Sequence, residues 1–395
     1  MDELDAIAAR IQAREADAAG GPGPWTLELY PTLRCNLSCA FCDTTDRHRP
    51  AVNELSVARQ LAIVDEAAAM GVRRVAILGG GEPLLSAATP RLIERVKAHG
   101  MEGFLTTNGT RLDTVAAALV GLGWEEVHVS IDGAEAATHD ALRGRAGAFR
   151  TSVSALCRLR RRRDLAAAVY PRLGLHTVLT RRNVDELAGI VRLAAALGAT
   201  RVEFDALVAY RPEQEALVLG PAEEARLPTR VAEALAEAER LGVSTTLDRL
   251  LRPDALRRGA RLPEAPAAPN SGAPAAPNSS APAAGATPGT STPGDTGAIG
   301  LAAAPCLKAW HYLVVQADGR TAPCCVLAGT GGSVADAPLA EVWTTDPTLL
   351  AVRAGMRAGR PTGRCAECSE NILAHERAIR ARLPGVAPLS FGGAA

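Results

Sequence analysis

The sequence predicts an α/β fold: a partial (β/α)6 barrel of parallel strands, followed by a disordered linker and a small cysteine-rich metal-binding domain. Three observations carry this expectation. Short apolar runs alternate with amphipathic helical stretches from about residue 26 to 206, the composition collapses to Ala, Pro, Ser, Gly and Thr over 262–300, and the nine cysteines gather towards the two ends of the chain.

The strand candidates are 26–30, 74–78, 103–106, 126–131, 173–179 and 201–204, with helical patterns at 57–69, 90–99, 114–120, 148–162 and 184–197 between them. Strands separated by helix-length stretches pair in parallel, because each new strand is reached by a crossover. Six such units curve into a partial barrel; an open doubly wound sheet gives the same alternation, and periodicity does not separate the two. A further helix is expected at 221–241, so the barrel domain is placed at 26–250, after an N-terminal helical extension of residues 1–25. Within the linker the phrase APAAPNS occurs at 265–271 and again at 273–279, with too little apolar side chain to fold. Residues 304–395 regain Trp, Tyr, Val and Leu along with five cysteines, and are expected to fold around metal.

Across the 395 residues, 43 Lys and Arg balance 43 Asp and Glu, so no net field calls for nucleic acid or an anionic membrane as partner. The basic run at 158–163 lies on a helical pattern and reads as a solvated face. No apolar stretch reaches membrane-spanning length, and the start, MDELDAIAARIQ, lacks the basic-then-apolar order of a signal peptide. A cytoplasmic protein is expected. In a reducing compartment an odd number of clustered cysteines suits metal rather than disulfides. Cys157 stands apart, in a helical stretch, where a small buried hydrophobe is the expected role.

Cys35, Cys39 and Cys42 stand in LRCNLSCAFCD, directly after the first strand. In a parallel α/β fold that loop opens on the face where active sites gather. Three soft thiolates can wrap one cubane cluster and leave one iron open to an exogenous ligand. The competing reading is a zinc knuckle with His48 as fourth ligand.

With Phe41 just before the last cysteine, C-x3-C-x2-C resembles the signature of the radical S-adenosylmethionine superfamily. Gly79-Gly80-Gly81-Glu82-Pro83 after the second strand resembles that family's GGEP motif, and Thr106-Thr107-Asn108-Gly109 its TNG segment. Ser130-Ile131-Asp132-Gly133, ending the fourth strand, resembles its SxDG segment. The resemblance covers about 26–206. It implies a 4Fe–4S cluster held by Cys35, Cys39 and Cys42 whose unique iron chelates S-adenosylmethionine and, once reduced, cleaves it to methionine and a 5′-deoxyadenosyl radical. Phe41, Gly80, Gly81, Glu82, Thr107, Asn108, Ser130, Asp132 and Arg143 are the implied cofactor-binding residues. His128 shares strand parity with Ser130 and Asp132, and a hydrogen-bonded core histidine is the expected role.

Cys306, Cys324, Cys365 and Cys368 form C-x17-C-x40-C-x2-C, with Cys325 adjacent to the second. A closed four-thiolate site suits structural zinc as well as iron. The phrase ADGRTAPCC with the later CAEC resembles the auxiliary-cluster domains of the SPASM and twitch subfamilies, and four cysteines resemble the shorter twitch type. The resemblance implies an auxiliary, fully ligated 4Fe–4S cluster as electron acceptor, with Cys324 rather than Cys325 as ligand.

The reaction expected is dehydrogenation of a small polar, sugar-like metabolite, with an electron donor such as flavodoxin or ferredoxin. The alternatives are a peptide-modifying maturase that cross-links, oxidises or epimerises, and a non-catalytic iron–sulfur or zinc metalloprotein. The first 25 residues are too short for a winged-helix peptide-recognition domain, which favours the small metabolite. Candidate substrate contacts are His176, Glu203, Asp205, Tyr210 and Arg211. Cys325, if not a ligand, or Cys157 is a candidate hydrogen donor for epimerisation.

Overall fold

The computed structural model describes residues 2–17, 21–42, 53–209, 211–251, 301, 304–327, 329–361, 365 and 378–383. The expected linker at 262–300, His48, Tyr210 and Cys368 lie outside the described residues.

Six parallel strands follow one another: β1 (Thr26–Leu29), β2 (Arg74–Ile77), β3 (Glu102–Thr107), β4 (Glu126–Ser130), β5 (Arg172–Leu179) and β6 (Arg201–Ala206). A two-residue β7 (Ser244–Thr245) extends the β6 edge. The spatial order is the sequence order, β7-β6-β5-β4-β3-β2-β1. A doubly wound sheet would reverse direction at a switch point. Here every crossover steps the same way, so the sheet wraps as a partial barrel, which decides between the two expected forms.

Alternation along the strands sorts side chains between two faces. Leu27, Leu29, Val75, Ile77, Leu105, Val127, Val129, Leu173, Leu175, Val202 and Phe204 join the main apolar core under the helices. Those helices are α2 (Val57–Ala69), α3 (Ala88–Ala98), α4 (Ala116–Gly121), α5 (Ala136–Arg143), α6 (Ala148–Leu165) and α7 (Leu187–Leu197), with a short α8 (Pro212–Glu215) and a long α9 (Pro221–Leu241) after β6. The opposite parity sends Glu28, Phe104, His128, Ser130, His176, Glu203 and Asp205 into the lumen.

Two findings differ from the sequence reading. Cys157 is exposed, not buried. The buried face of α6 is Ser152, Ala155, Leu156 and Leu159, and Cys157 sits about 100° round the helix from Leu156. The basic run on that helix is a solvated face as expected, with Arg158 holding Asp113 in a fork (Nη2–Oδ2 2.6 Å) on the surface.

The second difference is the reach of the sheet. After a short α10 (Lys308–His311), β8 (Tyr312–Val315) pairs in parallel with β1, and β9 (Thr321–Ala322) folds back antiparallel on β8. The C-terminal cysteine segment therefore starts as a continuation of the barrel sheet. A second apolar core joins Ile7, Ala8 and Ile11 of α1 (Glu3–Ala16) to Leu307, Trp310, Met356, Ile379 and Leu383. Glu15 locks it by accepting from Trp310 Nε1 (2.7 Å) and Arg357 Nε (2.6 Å). α11 (Leu339–Thr345) and α12 (Pro347–Arg357) complete the packing, with Trp343 buried against the barrel.

Candidate active site at the barrel mouth

The loop after β1 is held on three sides. Thr32 Oγ1 (2.6 Å) and Leu33 N (2.9 Å) donate to Glu54 Oε1. Gly81 N donates to Thr32 O (3.1 Å) and Glu82 N to Arg34 O (2.8 Å). That approach is close enough to exclude side chains: a Cβ on Gly81 would lie 2.1 Å from Arg34 O, and one on Gly80 2.5 Å from the Leu33 side chain. The glycines thus admit the chain's own cysteine loop first. From the other side Ser38 N donates to Arg143 O (3.0 Å) and Ala40 N to Leu142 O (2.8 Å). Gly144, at φ +65°, is pressed against Ser38 O, where a Cβ would stand 2.2 Å away. Cys42 O accepts from Gln214 Nε2 (2.9 Å) and Arg211 Nη2 (2.6 Å). Arg211, expected at the substrate, holds the cysteine loop instead.

Within this loop Cys39 is buried and Cys35 and Cys42 are half-buried, packed with Leu37, Phe41 and Ala148. Burial pushes the Cys39 thiol up to about 11, opposed by Arg143, whose Nη1 is 3.7 Å from Cys39 Sγ. Burial likewise raises Cys35. Holding these groups as thiolates takes added positive charge, and a sulfur-only donor set suits iron. A four-iron cubane meets its thiolates at separate corners, and one loop carrying three cysteines can supply three of them. The residues fit that group.

Glu82 is buried and fully used. Its Oε1 accepts from Thr107 Oγ1 (2.6 Å) and Leu84 N (3.0 Å), and its Oε2 from Asn108 N (2.7 Å). Asn108 Nδ2 donates to Asn36 Oδ1 (2.9 Å), and Asn36 Nδ2 to Thr110 Oγ1 (2.9 Å). Glu82, Thr107 and Asn108 therefore tie three loops together behind the cysteines. Asn36, Glu54 and Gln214, which the sequence reading did not single out, complete the web; a polar residue between two cysteines was the one available signal.

Ser130 ends β4 with no side-chain hydrogen bond among the described residues. Asp132 is ion-paired to Arg143 and also accepts from Val178 N (2.9 Å). Arg143 in turn lies over the Phe41 ring, 5.3 Å from its centroid. His139 Nδ1 accepts from Asp132 N (3.2 Å), and burial with the Arg143 charge lowers its pKa to about 4, so the ring stays neutral.

The lumen carries a second polar group. His128 is buried, with Nε2 2.7 Å from Glu126 Oε1 and Nδ1 3.6 Å from Glu203 Oε2, as expected of a core histidine. Burial alone would raise the Glu203 carboxyl; His128, then Arg201 and His176, hold it at about 2. His176 Nε2 lies 2.8 Å from Asp205 Oδ2. Tyr312 donates a short hydrogen bond to Glu28 Oε2.

In the C-terminal segment Cys306 and Cys365 pack against the second apolar core, and Cys324 is buried at the end of β9. Burial, then the nearby Cys324, pushes the Cys365 thiol up to about 11. Cys325, next in sequence, is solvent-accessible, and the charged groups around it are Glu28, Lys308, Cys324 and Asp205.

A loop of three cysteines suited to an iron–sulfur cluster, at the mouth of a singly wound parallel barrel, points to a class, the cluster-bearing barrel proteins. Residues 29–194 match the radical SAM superfamily, and residues 306–369 match an iron–sulfur cluster-binding domain, SPASM. The chain belongs to the radical SAM superfamily and carries a SPASM-type auxiliary domain. The two domains imply S-adenosylmethionine and two 4Fe–4S clusters as cofactors.

The chain is 37% identical over 182 residues to the mycofactocin maturase MftC of Mycolicibacterium smegmatis, covering 46% of this chain and 44% of that protein. It is 32% identical over 197 residues to the AdoMet-dependent heme synthase of Methanosarcina barkeri (50% and 54% covered), and 32% identical over 190 residues to the PqqA peptide cyclase of Xanthomonas campestris (46% and 46%). The chain thus spans about half the length of the curated relatives it matches. Among solved structures, Streptococcus suis SuiB bound to S-adenosylmethionine has the same fold, with TM-score 0.57 at 15% identity, covering 84% of this chain and 68% of that one. No described helix is long and apolar enough to cross a membrane.

Proposed function

We propose that the chain is a radical SAM enzyme that oxidatively modifies a peptide. The observation that carries this reading is the barrel's similarity to a maturase and a peptide cyclase at 37% and 32% identity. It favours the peptide over the sugar-like metabolite, a reading for which the site offers no selective feature. In this proposal Cys35, Cys39 and Cys42 hold the SAM-binding cluster, and Cys306, Cys324, Cys365 and Cys368 the auxiliary one. When bound, the reduced SAM cluster supplies a 5′-deoxyadenosyl radical, and a donor such as flavodoxin or ferredoxin supplies the electron. Phe41, Ser130, Asp132 and Arg143 line the cofactor's place, while Glu82, Thr107 and Asn108 fix the loops around it. The substrate lies in the lumen beside the His176–Asp205 pair, with Cys325 within the electrostatic reach of Asp205.

The test is anaerobic reconstitution with iron and sulfide, expected to load about eight iron atoms, followed by assay of 5′-deoxyadenosine from S-adenosylmethionine and dithionite. Cys35→Ala should abolish release. A panel of peptides is then compared with aminocyclitol sugars. Faster release with a matching mass loss in one peptide supports the reading. Acceleration by the sugars alone removes the peptide, and no release from fully loaded protein removes the enzyme.

A further inference from the structure

We propose that His176, backed by Asp205, is the catalytic base that takes the proton leaving the substrate after its hydrogen atom and electron have gone. The inference rests on the oxidative reading above, because only a net oxidation sheds that proton.

Position comes first. The parallel register pairs Ser130 on β4 with His176 on β5, and His176 with Glu203 on β6. His176 therefore stands one strand away from Ser130, on the lumen face, beside a residue that the proposed function assigns to the cofactor.

The two ring nitrogens are distinct. Nε2 lies 2.8 Å from Asp205 Oδ2. A carboxylate accepts, so Nε2 carries the proton and Nδ1 presents a lone pair. Nδ1 has no hydrogen-bond partner among the described residues, and the side chain is 25% exposed, so the ring is partly accessible with that nitrogen unpaired. This is the carboxylate–imidazole arrangement that makes a histidine a base in acyl transfer.

The other two histidines near the site cannot play this part. His128 is sealed, with Nε2 on Glu126 and Nδ1 facing Glu203 at 3.6 Å. Its ring fills the place of the Gly174 side chain, where a Cβ would lie 2.4 Å away. His139 has Nδ1 occupied by Asp132 N and Nε2 closed off from solvent.

The surroundings favour a cation at His176. Asp205 and Glu203 face it from β6 and Asp132 from the end of β4. Asp132 is already matched by Arg143, and Glu203 by Arg201 (2.8 Å) and His128. Asp205 has no partner but His176 among the described residues. The balance closes as follows: the substrate C–H bond breaks and its hydrogen atom goes to the deoxyadenosyl carbon. One electron goes to an iron–sulfur acceptor. The proton on the adjoining nitrogen, oxygen or carboxyl group moves to His176 Nδ1, and the oxidised carbon keeps a new bond.

Two experiments test this on the reconstituted full chain. Diethyl pyrocarbonate reacts with neutral, open imidazole, so peptide mapping across pH reads His176 without any substrate. His176 should be modified with a midpoint above 6.5, since Asp205 and Glu203 raise it against burial. His128 should stay unmodified, and Asp205→Asn should move the His176 midpoint to lower pH. With the peptide that accelerates deoxyadenosine release, His176→Gln should raise deoxyadenosine formed per modified peptide about 100-fold. Asp205→Asn should shift the acid limb of product formation to lower pH. An unreactive His176 at every pH, or an unchanged ratio in His176→Gln, overturns the proposal. If no peptide accelerates release, the proposed function fails, and the modification profile alone decides whether His176 is the open base.

Discussion

Glu82→Ala tests whether the acidic residue of the glycine-rich turn binds cofactor or holds the site together. The structure supports the second role. The substitution strips the acceptor from two buried backbone donors, Leu84 N at 3.0 Å and Asn108 N at 2.7 Å, and from the Thr107 hydroxyl at 2.6 Å. An orphaned buried donor costs about 1–3 kcal/mol, so the two N–H groups alone cost about 2–6 kcal/mol. Part is returned, because burial raises the Glu82 pKa and the variant no longer desolvates that charge. A net loss of about 2–4 kcal/mol is expected. Glu82→Gln should lose less, roughly half: one oxygen still accepts, but the amide NH2 faces the Asn108 N–H, donor against donor. The assay is urea unfolding of the reconstituted protein under anaerobic conditions, alongside equilibrium dialysis of S-adenosylmethionine. The clamp predicts that stability and cofactor affinity fall together, and that Gln restores part of both. Unchanged stability with lost cofactor binding would refute it.

Two further predictions follow from the site. Cys324→Ala should cut the reconstituted iron from about eight atoms to about four, whereas Cys325→Ala should keep the full complement. Equal losses in both variants would overturn the assignment of Cys324 as ligand. The Glu203 carboxyl, held at about 2, stabilises the fold above its unfolded value of 4.5, and that contribution is lost as pH falls through 2. The full shift is worth about 3 kcal/mol, less for partial solvent screening. Glu203→Gln should therefore flatten the acid limb of stability between those two pH values, and an acid limb unchanged from wild type counts against the pair with His128.

Much of the barrel was legible in the sequence because its signals are local. α2 and α9 occupy the residues that their apolar periodicity marks, and each of the six strands begins within a residue of its apolar run. The motif residues were legible for the same reason, since each lies in the turn that leaves its own strand. Cys157 was misread from residue type alone; the spacing of Ser152, Ala155, Leu156 and Leu159 already excludes it from the buried face. Pairing between distant segments has no such local signal. Nothing around Tyr312 announces that it stands beside Thr26 in a parallel ladder, and nothing around Ile11 announces Trp310. Glu82 illustrates the same limit within a motif: the pattern marks the residue, but only the placement of Thr107 and Asn108 reveals what its carboxylate does.

The pairing of β8 with β1 bears on how the two cysteine groups act together. One edge of β1 pairs with β2, whose turn carries Gly81 and Glu82 and grips the first cysteine loop. The other edge pairs with β8, whose hairpin ends at Cys324. Both groups are therefore registered on a single strand, four residues long on each side, with Tyr312 fastened to Glu28 across the junction. Moving one group relative to the other requires peeling a ladder and exposing Leu313 and Val315, which belong to the main core. In the proposed function a hydrogen atom leaves at one site and an electron moves towards the other, and such a reaction depends on a fixed separation between them. The ladders on both edges of β1 provide it.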